Sequence, residues 1–334
     1  MAHDAFQLVS RNGITWLESA ALARFTWLVH GFSTRLAEDS RGRSGADFNL
    51  GRSAGAPDRQ VLRNRRRFAE ALGNGFSLAA LRQIHSATVY EVVIAGSGAT
   101  RRALGRAALE YRAAGCLPAR HASQAEAGPA RAAVADPLSL PAGDALLTAQ
   151  PGVLLSVRTA DCLPVLLVDP RRRWVAAIHA GWRGALERVI EKAVGELRRL
   201  YGSDPAHLVA ALGPGIGACC YEVGDEVVEA FQGQFVPSAG FFKTPPADEP
   251  AGRLDLRYQL LFHTQAPPGH RRERARLHLD LTAVARAQLL AAGLKPGRIH
   301  AAGCCTSCRA DLFFSHRREG ARAGRMMAAI GLRP

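Results

Sequence analysis

The sequence predicts an α/β protein of the α+β type, with a mixed β-sheet sandwiched by helices, and three observations support this class. Apolar, strand-like segments alternate with segments of helical periodicity along the chain. A hairpin joins two of these strands, because Asp169-Pro-Arg-Arg is a typical turn sequence between the apolar runs 163–169 and 174–179. The apolar fraction of 48% supplies enough surface to bury a core. The antiparallel hairpin favours a mixed sheet over the purely parallel sheet of a dinucleotide-binding fold.

The individual elements follow from periodicity and from signals at their ends. A helix is predicted over 61–72, with Asp58 as its N-cap, and Leu81 begins a segment that runs into a strand. An amphipathic helix is predicted over 184–201, where Gly202 ends it. The other predicted elements are two short strands around the Gln150-Pro-Gly turn, a strand over 208–212, a helix over 225–231, a helix over 280–292 and a strand over 299–302.

Two segments lack this regular pattern. Residues 96–141 are rich in Ala, Arg, Gly and Ser, and residues 245–276 combine several prolines with a basic end. Such composition is typical of surface loops. We therefore interpret the chain as a single catalytic domain over 1–334 with surface inserts at 96–141 and 245–276.

Composition excludes several classes of protein. A chain with 48% apolar and 22% charged residues is not wholly disordered. The longest apolar runs are too short to span a membrane, and the N-terminus lacks the pattern of a secretory signal, so a cytoplasmic location is expected. The seven cysteines, an odd number, argue against a disulfide framework.

The charge balance has two interpretations. Lys and Arg number 43 against 29 Asp and Glu, which gives a formal net charge of +14. This charge fits a nucleic-acid partner or an anionic substrate. It equally fits a compositional bias, because Arg and Ala are abundant and Lys is scarce. The sequence lacks the interleaved aromatic residues of a base-stacking surface, so a nucleic-acid partner is not expected.

One pair of residues suggests a metal site. Cys162 lies eight residues before Pro170, and His179 lies eight residues after Arg171, so a regular hairpin would place them opposite each other. Opposed Cβ atoms are about 4.5–5.5 Å apart, which allows a thiolate and an imidazole to share one ion. His85, which we place at the start of a strand, is the best third ligand. Three protein ligands would leave one coordination position open, as in catalytic zinc sites. The alternative is a half-buried cysteine and an ordinary core histidine.

Several motifs surround these residues. In chain order they are Gly143-Asp-Ala-Leu-Leu-Thr, Thr159-Ala-Asp-Cys-Leu-Pro-Val, His179-Ala-Gly-Trp-Arg-Gly, Gly213-Pro-Gly-Ile-Gly-Ala-Cys-Cys-Tyr-Glu-Val-Gly, Cys305-Thr, Phe313-Phe-Ser-His-Arg-Arg-Glu-Gly and Gly324-Arg. From about Asn49 to the C-terminus this order resembles the YfiH/laccase-domain family. The resemblance implies a YfiH-like fold and a metal site formed by His85, Cys162 and His179. Zinc is the expected ion, with copper as the alternative because copper outcompetes zinc for such ligands.

The chain departs from the family pattern at three places. Ser86 follows His85 where the family usually has glycine, and His316 stands where the family often has tyrosine. The insert at 96–141 is also longer than the family leads us to expect. None of these departures removes a proposed metal ligand, although the insert could alter access to the site.

The resemblance implies a zinc-dependent purine nucleoside phosphorylase. Its substrates would be phosphate and adenosine, inosine, guanosine or 5′-methylthioadenosine, which it would cleave to the free base and the sugar 1-phosphate. Adenosine deaminase activity is also attributed to the family. A monomer without a membrane partner is expected.

Phosphorolysis requires groups that hold an anion and groups that handle protons. Arginine suits phosphate because its planar guanidinium makes bidentate contacts. Arg65 and Arg325 are candidate phosphate-binding residues, and Arg183 beside the histidine motif is a candidate catalytic residue. Asp144 and Asp161 are the acidic residues nearest the metal motifs, and either could orient a ligand histidine or accept a proton. The alternatives are solvated arginines and aspartates that cap turns.

Two cysteine groups carry weaker signals. Cys305-Thr-Ser-Cys308, preceded by Cys304, could be a redox dithiol or half of a structural zinc site. The second half could come only from Cys219 and Cys220, and adjacent cysteines are poor ligand pairs. We therefore interpret Cys219 and Cys220 as small apolar residues packed beside the turn at 213–217, which lacks the Lys-Ser/Thr of a phosphate loop.

Three other functions stay open at this point. A copper-dependent, laccase-like polyphenol oxidase would need several copper centres, yet the eleven histidines lack paired His-x-His spacing. A non-enzymatic nucleic-acid-binding module would use the basic inserts. A peptidoglycan-precursor editing factor, a role also associated with the family, would need a muropeptide site for which the residues give no separate signal.

Overall fold

The computed structural model describes residues 5–38, 44–52, 58–95, 109–114, 140–236, 238–244 and 277–334. The strands are β1 (Phe6–Arg11), β2 (Ile14–Ser19), β3 (Leu28–Glu38), β4 (Ser44–Asp47), β5 (Ser77–Ala79), β6 (Val89–Ile94), β7 (Leu109–Ala113), β8 (Ala145–Thr148), β9 (Val153–Thr159), β10 (Leu163–Asp169), β11 (Trp174–Ala180), β12 (Val209–Leu212), β13 (Glu222–Val223), β14 (Phe242–Lys243), β15 (Leu277–Leu279), β16 (Ile299–Ala301) and β17 (Met326–Leu332). The α-helices are α1 (Ala20–Ala23), α2 (Asp58–Leu72), α3 (Trp182–Leu186), α4 (Val189–Tyr201), α5 (Asp225–Gln234), α6 (Leu281–Ala291) and α7 (His316–Glu319). Among the described residues, no helix has both the length and the apolarity needed to cross a bilayer.

The strands form two seven-stranded sheets and one of three strands. The first sheet has the order β1-β2-β3-β17-β9-β5, with β4 paired to β3. The second has the order β16-β12-β10-β11-β8-β6-β7, and the small sheet has the order β13-β15-β14. Both large sheets are mixed, because β5–β9, β12–β16 and β6–β8 are parallel pairs among antiparallel ones.

The two large sheets stack on each other between layers of helix. Leu154 of β9 packs with Phe68 of α2, whereas its neighbour Leu155 packs with Leu166 of the second sheet. Leu167 in turn faces away from the first sheet, into a core shared with α3 to α6. Successive strand residues point to opposite faces, so strands buried on both sides are apolar throughout. The predicted class is confirmed, and the structure adds that two stacked mixed sheets lie where the sequence indicated one.

The long helix predicted over 184–201 is wrong in one respect, because it is divided. Helix α3 ends at Leu186, and α4 begins at Val189, after Arg188 adopts a left-handed φ of 62°. The guanidinium of Arg188 holds this break by donating to Glu191 and to the Gln234 carbonyl. The other end is as predicted, since Gly202 terminates α4 at a φ of 62°. Helical periodicity continues across the break, so the sequence pattern does not reveal it.

The two predicted inserts are described only in part. Within 96–141, residues Leu109–Ala113 form β7 and pair antiparallel with β6 at the edge of the second sheet. Residues 96–108 and 115–139, which include Cys116, lie outside the described residues, as does all of 245–276. The six cysteines of the described part are all free.

A buried histidine on β3 gives the fold a pH-dependent stability. His30 is 4% exposed, and its Nε2 accepts the Ser19 N–H at 2.9 Å. Burial lowers the pKa of His30 to about 4, so the folded chain takes up this proton less readily than the unfolded chain. The contribution of His30 to the unfolding free energy is therefore fully present above its unfolded pKa of about 6.5, and it is lost as the pH drops below that value. We expect a loss of about 2 kcal/mol in unfolding free energy between pH 7 and pH 5.

Urea unfolding at pH 5, 6 and 7 measures this effect. In His30→Gln the amide oxygen can still accept from the Ser19 N–H. The loss of unfolding free energy between pH 7 and pH 5 should then be smaller by about 2 kcal/mol. An unchanged slope in this variant would assign the acid sensitivity to other groups.

Candidate metal site and its surroundings

The three residues predicted to bind a metal lie together. The ligand atoms of His85, Cys162 and His179 all lie within 4.8 Å of one another. Cys162 Sγ is 3.7 Å from His85 Nε2, and the two imidazole rings meet edge to face with centroids 5.0 Å apart. His179 is buried, Cys162 is half-buried and His85 is exposed, so the group opens to solvent on the His85 side.

Cys162 and His179 meet diagonally across the hairpin, and the predicted direct opposition is wrong. The register pairs Pro164 with His179 and Leu163 with Ala180, a shift of two residues from the predicted pairing. The shift arises because the loop has four residues, which Arg173 closes with a φ of 52° and a hydrogen bond from its N–H to the Asp169 carbonyl. A two-residue shift keeps both side chains on the same face, so they remain diagonal neighbours.

The backbone at Gly181 passes so close to two of the ligands that only glycine fits this position of the histidine motif. A Cβ there would lie 2.7 Å from His85 Cδ2 and 3.0 Å from Cys162 Sγ. The backbone between β11 and α3 therefore passes directly against two of the three ligands. Any larger residue would push them apart.

One carboxylate organises the loop that carries His85. This residue lies in a loop at a left-handed φ of 61°, whereas the sequence predicted the start of a strand, and β6 begins only at Val89. The buried Asp144 accepts the N–H groups of Ile84, His85 and Ser86 at 3.3, 3.0 and 2.6 Å, and the Ser86 hydroxyl at 2.8 Å. The loop therefore wraps around a charged acceptor supplied from just before β8.

The same carboxylate also orients the second histidine. Asp144 Oδ1 lies 2.8 Å from His179 Nδ1. A carboxylate only accepts, so Nδ1 carries the proton and Nε2 is directed toward Cys162. Burial alone would raise the pKa of Asp144, but its bonds to His179 and Ser86 lower it, so the group is ionised.

Cys162 and His179 stabilise each other's charged forms. Burial would raise the pKa of the Cys162 thiol, but the charge and hydrogen bond of His179, with help from His85, lower it to about 6. Burial would lower the pKa of His179, but the Cys162 thiolate and Asp144 raise it to about 9. Cys162 is therefore held as a thiolate, the form in which cysteine binds metals or attacks electrophiles.

Asp161, the residue before Cys162, is held by hydrogen bonds to other chain segments. It is buried with a φ of 91°, a conformation that L-residues rarely adopt and that surrounding contacts must hold. Its carboxylate accepts the Thr306 hydroxyl and the Arg317 N–H, each at 2.6 Å. Its carbonyl accepts the Ile216 N–H at 2.8 Å. Asp161 thus joins three separate chain segments, and no ligand histidine is among its hydrogen-bond partners in the described residues.

Four arginines lie close enough for each guanidinium group to repel at least one of the others. Burial lowers the pKa of Arg325, whereas the negative charges of Cys162 and Asp161 raise it. Arg325 is therefore within electrostatic range of the site. Burial, followed by the charges of Arg325 and Arg52, lowers the pKa of the half-buried Arg158. Burial, followed by the charges of Arg158 and Arg52, lowers the pKa of Arg65 to about 10. We call Arg52, Arg65, Arg158 and Arg325 the arginine cluster.

Backbone carbonyls fix three guanidinium groups of this cluster, whereas Arg52 pairs with the Asp58 carboxylate. Arg65 donates to Leu50 at 2.7 Å, Arg158 donates to Leu81 at 2.8 Å, and Arg325 donates to Ala323 at 2.7 Å. Sequence reasoning identified Arg65 and Arg325 but missed Arg158 and Arg52. The signal available for Arg158 was its position at the end of an apolar strand, immediately before Thr159-Ala-Asp-Cys.

Arg183 lies apart from the arginine cluster, at the exposed start of α3. Its guanidinium carbon stacks 4.2 Å from the Trp182 ring centroid. Tyr221, which sequence reasoning missed, is half-buried near the trio. Burial raises its pKa, and the charges of Cys162, Arg317, Asp161 and Arg183 all act on its hydroxyl.

The predicted packing role is confirmed for Cys220, which is half-buried against the apolar core, and is wrong for Cys219. Cys219 is exposed, and the ligand atoms of Cys219, Cys220, Cys305 and Cys308 lie within 4.8 Å of one another. Cys304, by contrast, directs its thiol to the Ala302 carbonyl. The chain therefore contains a second group of metal-ligating atoms, separate from the first.

The chain is similar in sequence to several known proteins. A family model described as multi-copper polyphenol oxidoreductase laccase matches residues 29–333. Purine nucleoside phosphorylase YlmD of Geobacillus stearothermophilus is 32% identical over 333 residues, which cover 99% of this chain and 98% of that protein. An adenosine deaminase from an unknown prokaryotic organism is 36% identical over 187 residues, which cover 56% of this chain and 61% of that protein.

A solved structure has the same fold. The crystal structure of the hypothetical protein YfiH from Bacillus licheniformis superimposes with a TM-score of 0.70 at 25% sequence identity. The match covers 99% of this chain and 100% of that one. The resemblance inferred from the motifs is thereby confirmed for the family and the fold.

Proposed function

This chain belongs to the multi-copper polyphenol oxidoreductase laccase family, and we propose that it is a zinc-dependent purine nucleoside phosphorylase. The observation that carries the proposal is the arginine cluster, in which Arg325 lies within electrostatic range of the thiolate that accompanies two histidines. An anion site next to a metal site suits the transfer of a glycosyl group to phosphate. The name of the full-length relative from Geobacillus stearothermophilus supports the same assignment.

The trio fits a catalytic metal ion. Two imidazoles and a thiolate suit zinc, and three protein ligands leave room for a further ligand. His85, Cys162 and His179 would hold the ion, and copper is the alternative occupant. When bound, such an ion acts as a Lewis acid that polarises an oxygen or nitrogen of the substrate. The described residues bring together only this one histidine-containing group, which favours a single-ion site over the several copper centres of a polyphenol oxidase.

The arginine cluster is the proposed phosphate site. Like charges held close together repel, and a bound dianion would relieve that repulsion while accepting bidentate hydrogen bonds. Arg65, Arg158 and Arg325 each keep donors beyond those used on backbone carbonyls. In phosphorolysis a phosphate oxygen bonds to C1′ as the C1′–N9 bond breaks, and the electron pair leaves with the base. The arginines would hold the attacking anion in place throughout.

The remaining candidates take distinct roles in this proposal. Asp144 is a positioning residue, since its carboxylate keeps the proton on His179 Nδ1 and fixes the His85 loop. Asp161 is also a positioning residue, because its oxygens are engaged by Thr306 and Arg317. Arg183 and Tyr221 would contact substrate at the open side of the site.

A product analysis with adenosine tests the reaction type. We expect adenine and ribose 1-phosphate to form only when phosphate is present. Inosine formed without phosphate dependence would indicate a deaminase, as in the partly matching relative named adenosine deaminase. If neither product forms and RNA binds in a salt-sensitive manner, the chain is a binding module and the proposal fails.

An Arg325→Gln variant tests the phosphate site. Loss of one charge-assisted contact of about 1.5–3 kcal/mol should raise the KM for phosphate about 10- to 100-fold. The metal content and the KM for the nucleoside should change little. Arg199→Gln is the matched control, because Arg199 is exposed on α4 and pairs with Glu196. An unchanged KM for phosphate in Arg325→Gln would place the anion elsewhere.

A further inference from the structure

We propose that Cys219, Cys220, Cys305 and Cys308 form a second metal site that binds a structural zinc ion. The proposal does not rest on the proposed activity, and the four-cysteine site shares no ligand with the His85, Cys162 and His179 trio. Its ligands come from two turns far apart in sequence. Parallel pairing of β12 with β16 brings those turns together, because each turn follows one of the two strands.

The sulfur separations fit a shared ion. Cys308 Sγ lies 3.5 Å from Cys219 Sγ and 3.4 Å from Cys220 Sγ. A disulfide would require about 2.05 Å. Four sulfurs at about 2.3 Å from a tetrahedral zinc ion are about 3.8 Å apart, so small adjustments would complete the coordination. Adjacent cysteines, which the sequence suggested to be poor partners, both reach the same sulfur here.

Backbone hydrogen bonds close both turns and hold the cysteine side chains near one another. One turn is closed by the Cys220 N–H donating to the Gly217 carbonyl at 3.0 Å, and the other by the Arg309 N–H donating to the Cys305 carbonyl at 3.0 Å. The Gly217 N–H also donates to Cys305 Sγ at 3.2 Å. A Cβ on Gly217 would lie 3.2 Å from both Cys219 Sγ and the Cys305 Cβ, so a larger residue there would crowd the sulfur atoms.

The choice of ligands points to zinc in a structural role. Four thiolates favour zinc or iron over harder cations, and a closed set of four protein ligands leaves no position for substrate. The Arg318 guanidinium donates to the carbonyls of Thr306 and Ser307, which lie between Cys305 and Cys308, at 2.9 and 2.7 Å.

The site would brace the segments that surround the trio. Thr306, between two of the cysteines, donates its hydroxyl to Asp161, the residue before Cys162. Tyr221, directly after Cys220, faces the charges of Cys162 and Asp161. A metal that joins the two turns would therefore hold both the Asp161 contacts and Tyr221 in place. Cross-links between distant chain positions give the greatest restriction of the unfolded state.

Metal stoichiometry in single variants tests the site. We expect the purified full chain to hold two equivalents of zinc, and Cys308→Ser to hold one. Cys162→Ser should also hold one, and the double variant none. Cys304→Ser is the matched control, because this neighbouring thiol lies outside the group and should leave both equivalents in place. Two equivalents in Cys308→Ser, or one equivalent in the unaltered chain that Cys162→Ser removes, would overturn the proposal.

Thiol labelling of the unaltered protein provides a second test that needs no variant to fold. Cys219 and Cys308 are exposed, so free thiols there should be accessible to a maleimide. If zinc binds, labelling at these two positions should be at least tenfold slower in zinc-loaded protein than after chelation, as located by peptide mass spectrometry. Equal rates in both samples, or a disulfide among the four cysteines of the freshly purified chain, would contradict a zinc site.

Discussion

A Cys162→Ser variant is expected to lose metal from the trio and to lose phosphorolysis with it. A serine hydroxyl is a far weaker zinc ligand than a thiolate, and it cannot carry the charge that pairs with His179. Protein zinc binding totals about 10–16 kcal/mol, so one lost ligand should weaken it about a thousandfold. We expect kcat/KM for adenosine and phosphate to fall by a similar factor, measured at a fixed low concentration of free zinc.

Structural damage should not account for this loss. Cys162 is half-buried and serine is smaller, so the circular dichroism spectrum and the thermal midpoint should remain close to those of the unaltered chain. Excess zinc should restore part of the activity if the loss is one of affinity. A metal-replete and fully active Cys162→Ser variant would show that the trio is not the catalytic centre.

Two of the three ligands that sequence reasoning recovered lie on a regular strand or directly before one. Cys162 and His179 flank one hairpin, and a two-residue error in register still left them on one face because side-chain direction has a period of two. A one-residue error would have separated them. The turn has four residues, two more than the sequence suggested, yet the prediction that the two side chains share a face remained correct.

Other features depend on contacts between distant segments, which periodicity does not encode. Arg158 belongs to the arginine cluster only because β9 pairs with β17, whose start adjoins Arg325. The four-cysteine group requires β12 and β16 to be neighbours, so adjacent cysteines looked like poor ligands when considered alone. The loop conformation of His85 depends on Asp144, a residue 59 positions away.

This dependence makes Asp144 the most consequential residue outside the trio, although it need not touch substrate. A single carboxylate satisfies three backbone N–H groups, one hydroxyl and one imidazole. Two of the three proposed ligands, His85 and His179, are thus oriented by one buried charge. The arrangement couples the stability of the fold to the geometry of the metal site.

Asp144→Asn should therefore weaken both properties. Its amide can keep one acceptor toward His179, but its NH₂ group would then face the N–H and O–H donors of Ser86, which need an acceptor. We expect zinc affinity at the trio to fall about 10- to 100-fold, as for other residues that orient a ligand histidine. Unfolding free energy should fall by about 3 kcal/mol, because buried donors lose a charged acceptor.

Ser86→Ala is the control that separates the two roles. It removes one hydroxyl but leaves the carboxylate and its bond to His179 intact. The free energy of unfolding should therefore fall by only about 1 kcal/mol. Zinc affinity should stay within about twofold, since the histidine keeps its orienting partner. Competition with a zinc-binding dye and urea unfolding measure the two quantities on the same samples. If Asp144→Asn loses stability but binds zinc as tightly as Ser86→Ala does, the carboxylate supports the loop without orienting the ligands.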